Sequence, residues 1–596
     1  MTDVYRLIGD EVALEVASDL GSWVCDRVLS WSEEVRERIL KSEYGGMNDA
    51  LYQLYIITRD RRFFDAAVRF DDTKLFREIT GGEKKLSGIH ANTTIPKFIG
   101  ALSHVDAAKL LAAGSPVMMD VEHTVGADHP VTSGTDSTSR SESGASTGEP
   151  GPDADDCGEY LNYAKAFFRI VRNEQTFATG GISDMEHFRN RESLDVSRTQ
   201  CNCESCCAYN MLKLSRGLYM HTGEKQYADY YEHTLRNAIL GAIDNTNGAT
   251  TYFSPMGTGY HKLFGNPDPA GNLFWCCTGT GMEDFTKLQD SIYFINDGTP
   301  VVNQYIASEA DLPEMGIKIG LSCDVRKSDV AELVCECGDR SLQDDRNEPV
   351  YGRGISEILL RIPDWADSFD AEAVDSFDGE IIDSTERISD ESEPAHISGG
   401  GGHIDISRED GYVRVSGLKP GVNRFCLKFP MSVRAIGLPG NGEGEGADKE
   451  TPTLTSVPSG YGRHFCHEAG LVAFAYGPTL LVMRLGDRRM DEVVDAGIDV
   501  YAPAWKIVGD AAAFSEVTYA MSRPILLENE ILSITDGYTR DDLMRDPGLF
   551  FKRNEGDGLS FTLLHTDAAD KLGMEPVFIP YNEITKNRYG IYWYFQ

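Results

Sequence analysis

Two groups of cysteines are the residues with the clearest chemical potential in this sequence. The first is the run CNCESCC at residues 201–207, immediately before a segment with helical periodicity, and the second is the adjacent pair Cys276–Cys277 in FWCCTGTGMEDF. Thiolates at short spacing on two separate segments suit a tetrahedral zinc ion, which takes four ligands from Cys, His or carboxylate side chains. A pair such as Glu204 and Cys206 can reach one ion from a single turn, and the second segment can then close the coordination sphere.

The spacing alone leaves three interpretations of these cysteines open. The first is a closed, all-thiolate zinc site that only joins two segments, and the second is a set of buried thiols without a metal. The third is a mixed site of three thiolates and one glutamate, in which the weaker oxygen ligand can leave one thiolate accessible while the metal keeps it deprotonated. Such a thiolate is a nucleophile without a neighbouring base.

A nucleophile needs a proton donor for its leaving group, and acids lie just upstream of the cysteine run. In FATGGISDMEHF, Asp184 and Glu186 follow a Gly-Gly turn, which can direct a loop into a cavity. The pattern by itself is weak, because an exposed acid after a turn is usually only solvated.

Composition narrows the class of protein. The 596 residues suggest three or four domains, and no apolar stretch is long enough to predict a membrane span. The net charge of −38 argues against nucleic acid and against an anionic membrane as partners. No basic and apolar leader precedes residue 18, so we expect a cytoplasmic protein whose thirteen cysteines do not form a disulfide framework.

The first part of the chain, residues 1–290, has the periodicity of helical hairpins. Segments starting at Leu51 and Leu214 each combine an amphipathic helix, a short polar turn and a second helix. Hairpins with one apolar side must stack on neighbours, so we expect an (α/α)6-type helical-hairpin barrel; a TPR-like solenoid is the competing solution, which the unequal spacing disfavours. Residues 133–156 are rich in Ser, Gly and Asp and predict a disordered acidic insertion.

From about Ser291 the pattern changes to short β-branched and aromatic runs separated by turns, such as SIYFI, SEILLRIP and LVAFAYGPTLLV. These runs predict β-sandwich domains. We therefore expect a β-sandwich over 291–496 and a mostly β region over 497–596, which gives an α+β multidomain fold.

Several motifs in fixed order resemble one family of enzymes. They are EYGGMNDALY, HANTTIPKFIGA, FATGGISDMEHF, ESCCAYNMLKL and FWCCTGTGMEDF, followed by DSIYFINDG, LLRIPDWA and VAFAYGPTLLV. Together they are similar to the DUF1680-type proteins of glycoside hydrolase families 127 and 146, the β-L-arabinofuranosidases, and CCTGTGME is nearer to the family 146 pattern. The resemblance covers most of the chain.

The resemblance implies a site as well as a fold. In such proteins a zinc ion bound by three Cys and one Glu carries the reaction, so the implied ligands are Glu204, Cys206, Cys276 and Cys277. One cysteine of the adjacent pair is the nucleophile, which implies Cys276. The acid/base carboxylate implied by the MEHF segment is Glu186, with Asp184 as the less favoured neighbour.

The implied reaction is hydrolysis of a non-reducing-end β-L-arabinofuranoside with retention of configuration. His90 in HANT and Tyr44 in EYGGMN are implied to line the sugar pocket, although a lone His or Tyr beside helices is more often a satisfied core residue. The implied partner is a small or oligosaccharide substrate that contains β-L-arabinofuranose.

The sequence departs from the family pattern in three ways, and the first of them favours a competing interpretation. We expect the family's section before VYRLIGDEVALEV to be lacking and the barrel to be incomplete at its N-terminus, with a second copy or a partner chain to complete it. The acidic insertion is the second departure, and the additional thiols Cys201, Cys203 and Cys207, which can compete as ligands, are the third. The alternative is a truncated or degenerate non-catalytic carbohydrate-binding protein with a structural zinc site. A third hypothesis is an unsaturated-uronyl hydrolase or lyase. Such an enzyme does not need paired thiolates, so the cysteine motifs argue against it.

Overall fold

A computed structural model gives the fold of the chain. It describes residues 1–42, 44–113, 154–190, 194, 197–262, 264–265, 276–338, 356–374, 404–438, 471–486, 530–556, 558–585 and 587–596.

Helices make up most of the first half of the described chain. Their bounds are α1 Thr2–Ile8, α2 Glu11–Val28, α3 Glu33–Leu40, α4 Met47–Thr58, α5 Arg61–Val68, α6 Thr73–Thr80, α7 Ala91–Ala112, α8 Ala154–Glu174, α9 Ser205–Thr222, α10 Lys225–Thr234, α11 Cys276–Lys287, α12 Arg540–Arg545 and α13 Ala568–Leu572. Side chains fix many of the starts: Asp10 accepts hydrogen bonds from two backbone N–H groups of α2, and Ser32 and Asp60 do the same once each for α3 and α5.

Strands follow the helical part. Their bounds are β1 Thr250–Thr251, β2 Phe264–Gly265, β3 Tyr293–Asn296, β4 Thr299–Val302, β5 Ser308–Leu312, β6 Ile317–Ser322, β7 Val330–Cys337, β8 Glu357–Arg361, β9 Asp370–Ala373, β10 Asp405–Glu409, β11 Tyr412–Ser416, β12 Gly421–Lys428, β13 Val433–Gly437, β14 Val472–Tyr476, β15 Thr479–Gly486, β16 Ile531–Leu532, β17 Phe551–Arg553, β18 Phe561–Leu563, β19 Val577–Pro580, β20 Arg588–Gly590 and β21 Tyr594–Phe595. In β7 buried residues alternate with less buried ones, the period that a sheet with one covered face requires.

The strands form three large sheets among the described residues. Two have five strands, in the orders β10-β11-β8-β4-β3 and β5-β6-β7-β12-β9, and the third has the order β13-β14-β15-β19-β18-β17 with β20 also paired to β15. Pairing in these sheets is antiparallel except for β4 with β8. Inward residues of both five-stranded sheets, including Ile319, Leu333, Leu360 and Val415, share one apolar core, so these two sheets form a sandwich.

The chain divides into two compact units. The first contains residues 1–85 and 93–168, and the second contains residues 86–92 and 169–596. In the first unit α2, α4 and α5 pack around a core that includes Tyr52 and Phe64. Helices α1 and α2 also carry large apolar side chains that are more than a third exposed, which are Val4, Leu7, Ile8, Val12, Val16, Leu20 and Trp23.

In the second unit a segment from Phe177 to Cys203 packs on the seven-stranded sheet. Phe177, Ala178 and Cys203 belong to the same buried cluster as Leu480 of β15 and Tyr589 of β20. The backbone N–H of Ala178 donates to the hydroxyl of Tyr592, at 2.6 Å. The β-sheet therefore supports the loops that follow Ala178.

Helix α10 is tied to the sandwich by a buried ionic network. The guanidinium of Arg361, at the end of β8, is fully buried and donates to the carboxylates of Asp229 and Glu232. Its Nε donates to the carbonyl of Asn303 at 2.6 Å, and the indole N–H of Trp365 donates to Glu232 at 2.9 Å. Arg361 is the fully buried cation shared by both carboxylates, which also pair with Lys225 (Asp229, 2.6 Å) and Arg236 (Glu232, 3.3 Å).

We expect Arg361→Met to destabilise the protein by about 3–5 kcal/mol, because two buried carboxylates would lose the cation they share and keep only the partly exposed Lys225 and Arg236. The measurement is the shift of the urea unfolding midpoint. Lys428→Met is the control, since its ion pair with Glu372 is about half exposed (52% and 51%) and such pairs contribute at most about 1 kcal/mol. Equal shifts for the two variants would contradict this account of the network.

The predicted combination of helices followed by several β-sheets is confirmed, whereas a closed (α/α)6 barrel stays a prediction. The boundaries at residues 290 and 496 also stay predictions. The expected acidic insertion at 133–156 lies outside the described residues except for its last three, which begin α8. Within the described part of the chain, no helix combines the length and the apolar character needed to cross a membrane.

Candidate active site

Helix α9 brings one half of the cysteine cluster into place. Glu204 precedes the helix with a non-helical backbone (φ −50°, ψ 126°), and its side chain makes no capping hydrogen bond, so the carboxylate is free to point elsewhere. Cys206 and Cys207 occupy the first turn. The N–H of Ser205 donates to the carbonyl of Tyr252 at 3.0 Å, which joins the helix start to the segment after β1.

Helix α11 supplies the other half. It begins at Cys276, whose side chain is exposed, and continues with Cys277, which is buried. Because Cys276 is exposed, its thiol is accessible from solvent. The positive end of the helix dipole also favours a thiolate at this position.

The structure brings the four predicted metal ligands together. Ligand atoms of Glu204, Cys206, Cys276 and Cys277 all lie within 4.8 Å of one another. The Sγ atoms of Cys206 and Cys277 are 3.3 Å apart, and those of Cys276 and Cys277 are 3.9 Å apart. Oε1 of Glu204 lies 3.9 Å from Cys276 Sγ and 3.8 Å from Cys277 Sγ.

The acidic groups of this cluster lie so close together that they shift one another's pKa. Burial raises the pKa of Glu204 to about 8, with a further contribution from negative charge on Cys276. Hydrogen bonds with Cys206 and Cys277 lower the pKa of Cys276, and hydrogen bonds with Cys276 and Cys277 raise the pKa of Cys206, which favours negative charge on Cys276. A bound cation would relieve the cost of burying these charges.

The donor set fits a zinc ion. Zinc–thiolate bonds of about 2.3 Å in a tetrahedral site place two sulfurs about 3.8 Å apart; the sulfurs of Cys276 and Cys277 are 3.9 Å apart, and those of Cys206 and Cys277 are closer, at 3.3 Å. Three sulfurs and one carboxylate oxygen are also the soft, mixed set that zinc accepts. These four residues can therefore hold a metal ion.

The loop that carries Glu186 is strained. Ser183, Met185 and Glu186 have positive φ values of 81°, 50° and 67°. Non-glycine residues in this region cost of the order of 1 kcal/mol each and occur where the surroundings enforce them, often at functional sites. Gly180, upstream, cannot be replaced, because a Cβ there would lie 2.2 Å from Thr234 Oγ1.

Backbone hydrogen bonds hold this strained loop. Met185 N–H donates to Cys201 O at 2.9 Å and Cys203 N–H donates to Ser183 O at 3.1 Å, which ties the loop to the cysteine run. On its other side, Ala91 N–H donates to Glu186 O at 2.8 Å. Glu186 is thus fixed between two segments that sequence analysis treated separately.

Two side chains flank the Glu186 carboxylate. The hydroxyl of Tyr252 donates a short hydrogen bond to Oε1, and His90 Nε2 lies 3.5 Å from Oε2. The same Tyr252 oxygen is 3.8 Å from Cys276 Sγ. A single hydroxyl group therefore separates the carboxylate from the exposed thiol.

Asp184, the less favoured acid, is buried and fully engaged. It forms an ion pair with Arg189 at 2.8 Å and accepts hydrogen bonds from Thr199 at 2.5 Å and Asn202 at 3.3 Å. These contacts suit a residue that holds the loop and favour Glu186, which is 35% exposed, as the proton donor.

The remaining predicted residues lie elsewhere. Tyr44 belongs to the first unit, where the Lys97 ammonium lies 4.2 Å from its ring centroid, and its role in a sugar pocket stays a prediction. Cys203 is buried with its thiol 3.8 Å from Thr179 Oγ1, and Cys201 is half-buried. Neither belongs to the group of four.

Sequence reasoning missed Tyr252. It lies in TTYFSP, a segment without a motif that separates it from other strand-end aromatics. Only the fold, by placing the end of β1 against the start of α9, brings its hydroxyl between Glu186 and Cys276.

A buried acid on α11 gives a pH-dependent prediction. Asp284 is 2% exposed, its Oδ1 has no hydrogen-bond partner among the described residues, and burial raises its pKa to about 8. Below the ordinary Asp pKa of 3.8 both folded and unfolded chains are protonated there; above it only the unfolded chain ionises, until the pH reaches about 8. Stability from this residue is therefore lost as the pH rises from about 4 to 8.

We expect Asp284→Asn to unfold at higher urea concentration than the unmutated protein at pH 8. The advantage should shrink as the pH falls towards 4, because the unmutated side chain is then also neutral in both states. A constant difference between the two proteins over this pH range would contradict the assignment.

Comparisons with known proteins place this site in a family. Residues 1–124 and 154–290 match the family model described as β-L-arabinofuranosidase, GH127 catalytic domain. This stretch contains Glu186, Tyr252 and the four clustered residues. The comparison with curated proteins gave no significant match.

Solved structures share the fold. A GH127 β-L-arabinofuranosidase from Geobacillus stearothermophilus T6 is 13% identical with a TM-score of 0.53, and the alignment covers 100% of this chain and 78% of that one. A second GH127 β-arabinofuranosidase is 15% identical with a TM-score of 0.56, covering 99% of this chain and 74% of that one. A third structure, titled glycoside hydrolase, is 11% identical with a TM-score of 0.55, covering 99% and 81%.

The catalytic-domain match and the shared fold define a glycoside hydrolase. Within that class, the part of the chain that carries the cluster, residues 1–124 and 154–290, matches the GH127 catalytic domain of the β-L-arabinofuranosidases. The closer likeness to family 146 that CCTGTGME suggested stays a prediction.

Proposed function

We propose that this protein releases L-arabinose from non-reducing-end β-L-arabinofuranosides by a retaining mechanism in which Cys276 is the nucleophile and Glu186 the acid/base. The observation that carries the proposal is the Tyr252 hydroxyl, which contacts the Glu186 carboxylate and lies 3.8 Å from Cys276 Sγ. A donor and a nucleophile separated by one hydroxyl suit retention, since the two carboxyl groups of ordinary retaining glycosidases are also close together, roughly 5–5.5 Å apart.

In the first step the Cys276 thiolate attacks the anomeric carbon. The bond from that carbon to the glycosidic oxygen breaks, and its electron pair leaves with the oxygen, which takes the proton of Glu186. The products are an alcohol and an arabinofuranosyl thioether on Cys276.

In the second step Glu186, now a carboxylate, takes a proton from water. The resulting hydroxide attacks the anomeric carbon, the carbon–sulfur bond breaks, and the electron pair returns to Cys276. Two displacements at one carbon restore the starting configuration. Glu186 is again protonated, so the cycle consumes one glycoside and one water.

Tyr252 and His90 are suited to orient the Glu186 carboxylate between its two roles. Each contacts a different oxygen, Tyr252 at Oε1 and His90 at Oε2. This arrangement keeps one geometry for proton donation and for proton abstraction.

We infer that the metal is zinc, held by Glu204, Cys206, Cys276 and Cys277. When bound, it would stabilise negative charge on the cysteine sulfur at neutral pH and so make that sulfur a better leaving group. Zinc also suits a hydrolysis because it has no redox chemistry.

The test is hydrolysis of p-nitrophenyl β-L-arabinofuranoside by the zinc-loaded protein, with the α-L anomer as control substrate. We expect turnover of the β anomer alone, and a first-formed product with the β configuration by NMR. Bound zinc without turnover would support the alternative, a carbohydrate-binding protein with a structural metal site.

A further inference from the structure

The thiol of Cys207 adjoins the metal cluster without belonging to it. Its side chain is fully buried, and its Sγ donates to Oε2 of Glu204 at 3.2 Å. The group of four atoms within 4.8 Å of one another does not include this sulfur. Cys207 was considered above as a competing ligand, and its contact with the carboxylate gives it a different role.

The two oxygens of Glu204 face different partners. Oε1 is 3.9 Å from Cys276 Sγ and 3.8 Å from Cys277 Sγ, whereas Oε2 receives the hydrogen bond from Cys207. A thiol that donates to Oε2 engages one lone pair of that oxygen and holds it towards Cys207. Only Oε1 is then left to face the three sulfurs.

Backbone hydrogen bonds fix the positions of the two residues that make this contact. Cys207 N–H donates to Glu204 O at 3.0 Å in the first turn of α9, and Glu204 N–H donates to Ser183 Oγ at 3.3 Å. Both ends of the carboxylate-bearing residue are therefore held, so the remaining freedom lies in the side-chain torsions. The Cys207 thiol limits these torsions from a position that water does not reach.

We propose that Cys207 is a positioning residue that orients Glu204 to bind the metal through Oε1 alone. The inference rests on the proposed metal site. A single oxygen completes a four-coordinate set with three sulfurs, whereas bidentate binding would add a fifth ligand atom. Groups that orient a ligand in this way typically change metal affinity by about 10–100-fold when removed.

The test compares Cys207→Ala, which removes the donor, with Cys207→Ser, which keeps a shorter one. Cys203→Ala is the matched control, because it removes another buried thiol of the same run that contacts Thr179 instead of Glu204. Affinity for zinc is measured by competition with a chromophoric chelator, and the cobalt-loaded proteins are compared by their thiolate-to-metal charge-transfer absorption. Far-ultraviolet circular dichroism establishes that each variant is folded.

We expect Cys207→Ala to weaken zinc binding about 10–100-fold, with Cys207→Ser intermediate, Cys203→Ala unchanged and the charge-transfer intensity equal in all four proteins. Unchanged affinity in Cys207→Ala would overturn the positioning role. If the charge-transfer intensity of Cys207→Ala were lower than that of the unmutated protein by about a third, Cys207 would be a metal ligand and the positioning role would be overturned.

Outcomes for the unmutated protein separate this inference from the proposed function. Zinc binding without hydrolysis, together with weakened binding in Cys207→Ala, would remove the proposed activity and leave the positioning role. Hydrolysis together with unchanged affinity in Cys207→Ala would leave the activity and overturn the positioning role. An unmutated chain that binds no metal would overturn both.

Discussion

Cys276→Ser is expected to lower kcat for β-L-arabinofuranoside hydrolysis by at least roughly three orders of magnitude. A serine hydroxyl, unlike the Cys276 thiol, is not ionised at neutral pH, so the first displacement loses its nucleophile. The low pKa of Cys276, which follows from hydrogen bonds donated by Cys206 and Cys277, is a property of sulfur in this cluster that oxygen cannot reproduce. The measurement is kcat at saturating zinc.

Loss of activity in this variant has to be separated from loss of metal. Three of the four ligands remain in Cys276→Ser, so we expect zinc to bind more weakly and to be restored at higher concentration. Cys201→Ser is the control, since its half-buried thiol lies in the same run outside the group of four. Substantial activity in Cys276→Ser at full zinc occupancy would refute the nucleophile.

Glu186→Gln is expected to lower kcat about 10²–10⁴-fold for substrates with sugar or alkyl leaving groups. The loss should be smaller in the first step for p-nitrophenyl substrates, because that leaving group departs without a proton. The second step still needs a base, so added azide, which attacks without deprotonation, should restore turnover of the activated substrate and give the β-configured glycosyl azide.

The control for Glu186→Gln is Glu283→Gln, which neutralises an exposed carboxylate on α11. An equal loss for good and poor leaving groups, with no effect of azide, would indicate that Glu186 has only a structural role. Asp184→Asn is not a suitable control, because that carboxylate anchors the loop through Arg189 and Thr199.

The metal cluster could be predicted from the sequence because its residues fall in two short cysteine-rich motifs. CNCESCC and FWCCTGTGMEDF each keep their ligands on one helical turn, so local spacing already limited how far apart the donors could be. What spacing could not decide was which cysteines of the first run point to the cluster. Helix α9 decides this, since its first turn sends Cys206 to the cluster and Cys207 to the far oxygen of Glu204.

The position of Tyr252 and the hydrogen bonds of Asp184 could not be predicted in the same way. Both depend on contacts between segments that are far apart in sequence, such as Tyr252 with Glu186 and Asp184 with Thr199 and Asn202. The helices and strands themselves followed from their periodicity. The arrangement of the strands into two five-stranded sheets and one of seven depends on long-range pairing that local patterns do not encode.

The most direct test of the central claim is a search for the sugar on the sulfur. Glu186→Gln is mixed with p-nitrophenyl β-L-arabinofuranoside, quenched rapidly in acid and digested, and the peptides are analysed by mass spectrometry. The proposed mechanism predicts a peptide heavier by one anhydropentose, with the modification on Cys276. A burst of p-nitrophenol without an adduct, or with the pentose on any other residue, would contradict it.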